Sequence, residues 1–111
     1  MAELLLANGT NVNARDDHGM TPLHYAVNSV QNGVVQLLLA NKADVNARDN
    51  SGETPLHEAA NHASKGLAEL LIAEGANVDA KDNKGQTPLQ TAEFWHNQNV
   101  ANLLRQHGGH E

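Results

Sequence analysis

Apolar positions return in register every 33 residues along this chain. The doublets Leu37-Leu38, Leu70-Leu71 and Leu103-Leu104 share one column, and Leu4-Leu5 carries it one period upstream. Ala26, Ala59 and Ala92 share another. In the middle period Leu56, Ala59 and Ala60 fall on one face by the i, i+3, i+4 rule, which predicts a short helix over Pro55–Asn61. Leu67, Leu70 and Leu71 form the stripe of a second helix over about 66–74, with Glu69 and Glu74 on its polar side. Gly75 follows as a left-handed C-cap, and 76–80 read as an extended arm. Helices of fewer than about 12 residues are marginal in water, so each stripe must be buried against the neighbouring period. The pattern predicts an all-α repeat, a solenoid of helix-turn-helix units joined by short hairpin-like arms.

Polar residues punctuate the same period. Asp16, Asp49 and Asp82 are each followed three residues later by a glycine (Gly19, Gly52, Gly85) and then by Thr-Pro-Leu. The three triplets use all three prolines. Threonine suits an N-cap, and proline's fixed φ and missing N–H suit the first helical position. The Asp-x-x-Gly cluster reads as a turn closed by an Asx bond. Arg15, Arg48 and Lys81 precede the aspartates and read as a solvated column of opposite charge worth little per pair. Val12-Asn13-Ala14, Val45-Asn46-Ala47 and Val78-Asp79-Ala80 complete the arms.

A 33-residue period with Thr21-Pro22-Leu23-His24-Tyr25-Ala26 and Thr54-Pro55-Leu56-His57-Glu58-Ala59 resembles the ankyrin repeat family. The third copy, Thr87-Pro88-Leu89-Gln90-Thr91-Ala92, lacks the histidine. The resemblance covers 1–111 as a single ankyrin repeat domain, with a partial unit 1–15 and units 16–48, 49–81 and 82–111. It implies that His24 and His57 brace neighbouring turns by hydrogen bonds. Three departures stand out. The inter-helix column where the family carries glycine holds Val30, Ala63 and His96, while Gly33 and Gly66 come three residues later, so a shifted or reshaped loop is expected. Lys42 occupies the C-cap column of Gly9, Gly75 and Gly108, where a left-handed lysine costs roughly 1 kcal/mol. The partial unit leaves Leu4, Leu5 and Leu6 poorly covered, which fits either a fragment of a longer array or self-association through the N-terminal end.

Composition sharpens this picture. With one Tyr, one Phe and one Trp, the core must be built from Ala, Leu and Val, which suits thin stacked layers. Thirteen acidic and seven basic residues leave a net charge of -6, which disfavours nucleic acid and acidic membranes as partners. The chain has no cysteine, so it has no disulfide framework and no cysteine-based zinc site. No apolar run approaches the roughly 20 residues of a membrane span. Residues 1–8 lack the basic region of a signal peptide. An intracellular, cytoplasmic location is expected.

The candidate chemistry is thin. His57-Glu58-Ala59-Ala60-Asn61-His62 misses the H-E-x-x-H zinc motif by one residue. His107 and His110 flank a glycine pair near the C-terminus and read as a tail. One Asp per unit cannot supply the six or more oxygens calcium takes. No phosphate loop, nucleophile elbow or Ser/His/Asp set is present. No enzyme activity, metal or cofactor is expected. A protein-protein interaction module is, with a structural or self-associating unit as the alternative. The resemblance implies that partners meet the hairpin tips and the first helices along a concave groove. By column the tips contribute Asp17, His18 and Met20, then Asn50, Ser51 and Glu53, then Lys84 and Gln86. The first helices contribute Asn28 and Ser29, Asn61 and His62, and Phe94 and Trp95. Phe94-Trp95 replaces polar pairs found in the other units, and reads either as a partner anchor or as a cover for the last unit.

Overall fold

The computed structural model describes residues 12–62 and 64–108. Six helices, and no strands, occur among the described residues: α1 Pro22–Asn28, α2 Asn32–Ala40, α3 Pro55–Asn61, α4 Lys65–Ala73, α5 Pro88–Phe94 and α6 Gln98–Gln106. They form three antiparallel pairs, α1/α2, α3/α4 and α5/α6. The first helices pack in series, α1 on α3 and α3 on α5, and α4 packs on α6. The middle-unit expectation holds for α3 and slips by one residue for α4.

Each first helix starts for the reason its triplet suggests. Thr21, Thr54 and Thr87 are N-caps in extended conformation, with proline in the first turn and a full capping box. The box partner is unusual. His24 and His57, at the third helical position, accept from the threonine N–H through Nδ1, at 3.2 and 3.1 Å. Nδ1 is therefore the acceptor, and Nε2 carries the proton. That proton goes to the next unit: His24 Nε2 donates to the Glu53 carbonyl and His57 Nε2 to the Gln86 carbonyl, both at 2.9 Å. These are the braces that the family resemblance implied. Gln90 makes the inward half of the pattern, its Oε1 accepting from Thr87 N at 3.0 Å.

The core is one continuous seam of small and medium side chains. Leu23, Val27, Val35, Leu38, Leu56, Leu71, Val100 and Leu104 are fully buried, and Ala59, Ala60, Ala68, Ala92 and Ala101 let the helices approach closely. Each buried Leu or Val contributes about 1.5–3 kcal/mol over its exposed state. The arms add polar rungs. Asn13 Oδ1 accepts from Asp44 N at 2.6 Å, and Asn46 Oδ1 accepts from Asn77 N at 2.7 Å, so one asparagine ties each arm to the next.

One loop expectation needs correction. The inter-helix loop is not shifted toward Gly33 and Gly66, which lie inside α2 and α4. Val30 and His96 themselves take left-handed backbone, φ 53° and 59°. The strain is offset by Gln31 N bonding to the Ala26 carbonyl and Asn97 N to that of Ala92, which close the turn wherever the glycine falls. Ala63 lies outside the described residues, as do Leu4, Leu5, Leu6 and His110. In the basic column Arg15 Nε donates to the Gly19 carbonyl at 3.2 Å, within its own hairpin.

Lys42 does carry the strain expected of it, with φ 71° where Gly75 and Gly108 have 97° and 87°. Its side chain is exposed. Lys42→Gly should therefore raise stability by about 0.5–1 kcal/mol, the left-handed penalty less the glycine's added freedom when unfolded. A urea titration checks this, and an unchanged or lower midpoint would contradict it.

Candidate functional site

The hairpin tips are a hydrogen-bonded ladder before they are anything else. In each unit one aspartate oxygen collects two amides: Asp16 Oδ1 from His18 and Met20, Asp49 Oδ1 from Ser51 and Glu53, Asp82 Oδ1 from Lys84 and Gln86, all at 2.9–3.0 Å. These are the Asx turns the sequence suggested. Successive tips are then stitched together. Asn50 N donates to the His18 carbonyl at 3.0 Å and its Nδ2 to that of Asp17 at 2.9 Å. Asn83 repeats both bonds one unit on, to Ser51 and Asn50. The Asn50 side chain is thus a rung of the scaffold as well as a tip residue.

The ladder gathers five of the anticipated residues. Asn50, Ser51, Glu53, Lys84 and Gln86 line one depression between the second and third tips, about 250 Å3 in volume, with Asp82 and Asn83 in its wall. A larger hollow of about 450 Å3 opens beside α1. Met20 and Ser29 border it together with Pro22, Tyr25, Ala26 and Val34, so it is mostly apolar. Asp17 and His18 are exposed at the first tip, and Asn61 is exposed at the end of α3. His62 Nε2 donates to Asn28 Oδ1 across one layer, so these two side chains answer each other.

Phe94 and Trp95 are 70% and 54% exposed and stand edge to face, with ring centroids 5.0 Å apart and planes at 89°. The aromatic contact they make is with each other. Next to them Glu93 is paired with Arg105, which also donates to Asn102 Oδ1 at 3.2 Å. The exposure weakens the reading of the pair as a cover for the last unit, because a covering pair would bury its rings.

Two residues escaped sequence reasoning. Tyr25 is 45% exposed, and its hydroxyl donates to Asp16 Oδ2. That bond is the main cause holding the Asp16 carboxyl below its ordinary value and the Tyr25 phenol above its own. Glu58, in the same column, is 7% exposed. Asp49, Glu53 and Glu58 can each bring one oxygen within 4.8 Å of the others. Asp49 Oδ1 is already committed to two amides, so the trio offers a cation far fewer than six oxygens. The signal for both residues was the column Tyr25, Glu58, Thr91, where the units disagree.

Helix pairs stacked in series, with hydrogen-bonded tips on one edge, define a helical repeat protein. The family model of ankyrin repeats in three copies matches residues 1–49 and 28–111. The chain belongs to the ankyrin repeat family, whose members generally serve as protein-protein interaction modules and are typically non-enzymatic. No curated protein matches the chain.

Proposed function

We propose that this chain is a non-enzymatic docking platform that holds another protein along its tips and first helices. The reading rests above all on the exposed Phe94–Trp95 pair. Two of the chain's three aromatics sit in contact with solvent and each other, at positions filled by Asn28-Ser29 and Asn61-His62 in the other units. Trp is the residue type most often found at interface hot spots. A net charge of -6 favours a basic partner surface over nucleic acid or an anionic membrane. The tip depression would supply further polar contacts to the same partner.

The test uses the intact chain as bait, isolates the protein it retains, and measures Kd for the wild type and for Trp95→Ala. Truncating a central anchor is expected to weaken binding by about tenfold or more. An exposed side chain contributes little to folding, so the thermal midpoint should stay within about 3 °C of wild type. A parallel fall of midpoint and affinity would instead assign the pair to packing of the last unit.

A further inference from the structure

Glu58 is a buried carboxyl group in a column whose other members carry hydroxyls. In the first unit its column holds Tyr25, whose hydroxyl donates to Asp16. In the third it holds Thr91, whose hydroxyl donates to the Thr87 carbonyl at 3.3 Å. A carboxylate cannot donate, whereas a carboxylic acid can. Glu58 is nearly fully buried, and it faces the carboxyls of Glu53 and Asp49 on the second hairpin. One oxygen of each of these three carboxyls lies within 4.8 Å of the others, a spacing at which charged carboxylates repel and a proton held by one of them relieves the repulsion.

We infer that Glu58 is a proton switch for the middle hairpin. Protonated, its hydroxyl ties α3 to Glu53. Deprotonated, it sets two carboxylates against each other and loosens the tip that carries Asn50, Ser51 and Glu53. Burial, and then the charge of Glu53, push the Glu58 carboxyl up from 4.5 to about 7, so the switch works near neutrality. The neighbouring helices carry other titratable groups: Tyr25 and His24 on α1, Lys65 and Glu69 on α4, Glu93 on α5. The charges acting on Glu58 are nevertheless those of Glu53 and Asp49, and among the described residues no lysine or arginine is paired with it.

The folded-state value lies above the unfolded one, so the unfolded chain gives up this proton first. The group's contribution to stability is fully present below about pH 4.5 and is lost as the pH rises to about 7. Asp16 works in the opposite direction, since its carboxyl is held low. The useful readout is therefore the difference between wild type and Glu58→Gln, a neutral donor of the same shape, in which shared carboxylates cancel.

Carbon-detected NMR of the side-chain carboxyls should show Glu58 titrating near neutrality, apart from the ordinary glutamates. Between pH 5 and pH 8 the wild-type thermal midpoint should fall by about 5 °C or more relative to Glu58→Gln. Over the same range the Ser51 and Glu53 amides should exchange faster in the wild type than in the variant. Glu53→Gln should move the Glu58 titration toward the ordinary range, which provides a test that does not depend on Glu58→Gln folding. A Glu58 that titrates with the other glutamates, or a wild-type-minus-variant difference that is constant with pH, would overturn the inference.

Discussion

Replacing Gly52 by alanine should lower stability by about 3 kcal/mol, whereas the same change at Gly85 should cost only about 1 kcal/mol. The two glycines hold the same position in successive hairpins and the same backbone, φ 77° and 78°, so the left-handed penalty is common to both. They differ in what lies beside them. A Cβ on Gly52 would stand 2.5 Å from Asn83 Oδ1 and 2.8 Å from Asn83 N, inside the rung that joins the second tip to the third. One of those atoms is backbone and cannot swing away. A Cβ on Gly85 would meet nothing within 4 Å. The excess at Gly52 thus measures how tightly successive tips are stacked. Urea unfolding of the two variants decides it, and equal losses would mean that the tips yield freely and that the ladder is not a rigid platform.

That contrast marks where the sequence could be read and where it could not. The Thr-Pro-Leu triplets placed the start of every first helix, because an N-cap and an N1 proline act within four residues. The Asx turns were legible for the same reason. Features that residue preference alone does not decide were not. Val30 and His96 adopt a glycine's conformation because the turn is closed by backbone bonds on either side, which outweigh the local preference that pointed to Gly33 and Gly66. Arg15 donates to the Gly19 carbonyl of its own hairpin, while the Asp16 carboxylate beside it already holds two amides. In the candidate site, column arithmetic gathered the tip residues, since every unit presents its tip alike. It passed over Glu58, whose burial depends on how the second hairpin closes over α3. The disagreement of Tyr25, Glu58 and Thr91 was visible in the sequence, but the acceptors of the Tyr25 and Thr91 hydroxyls are set by the fold.

His57→Ala should cost about 3 kcal/mol and His57→Gln about 1 kcal/mol. His57 is buried and spends both ring nitrogens, one on the cap of its own helix and one on the Gln86 carbonyl of the next unit. Alanine removes both bonds and leaves the volume of an imidazole empty between α3 and the third hairpin. Glutamine separates the two roles. Gln90 shows that a glutamine at this position can accept from the threonine N–H and complete the box. His57→Gln should therefore keep α3 capped and lose the brace across 29 residues of chain. A stack in which each unit contacts its neighbours derives its cooperativity from such links. Hydrogen exchange in His57→Gln should accordingly speed up in α5 and α6 while α3 keeps its protection. If α3 loosens to the same extent, the capping half of the histidine is the part that matters, and the third unit is held by its apolar seam alone.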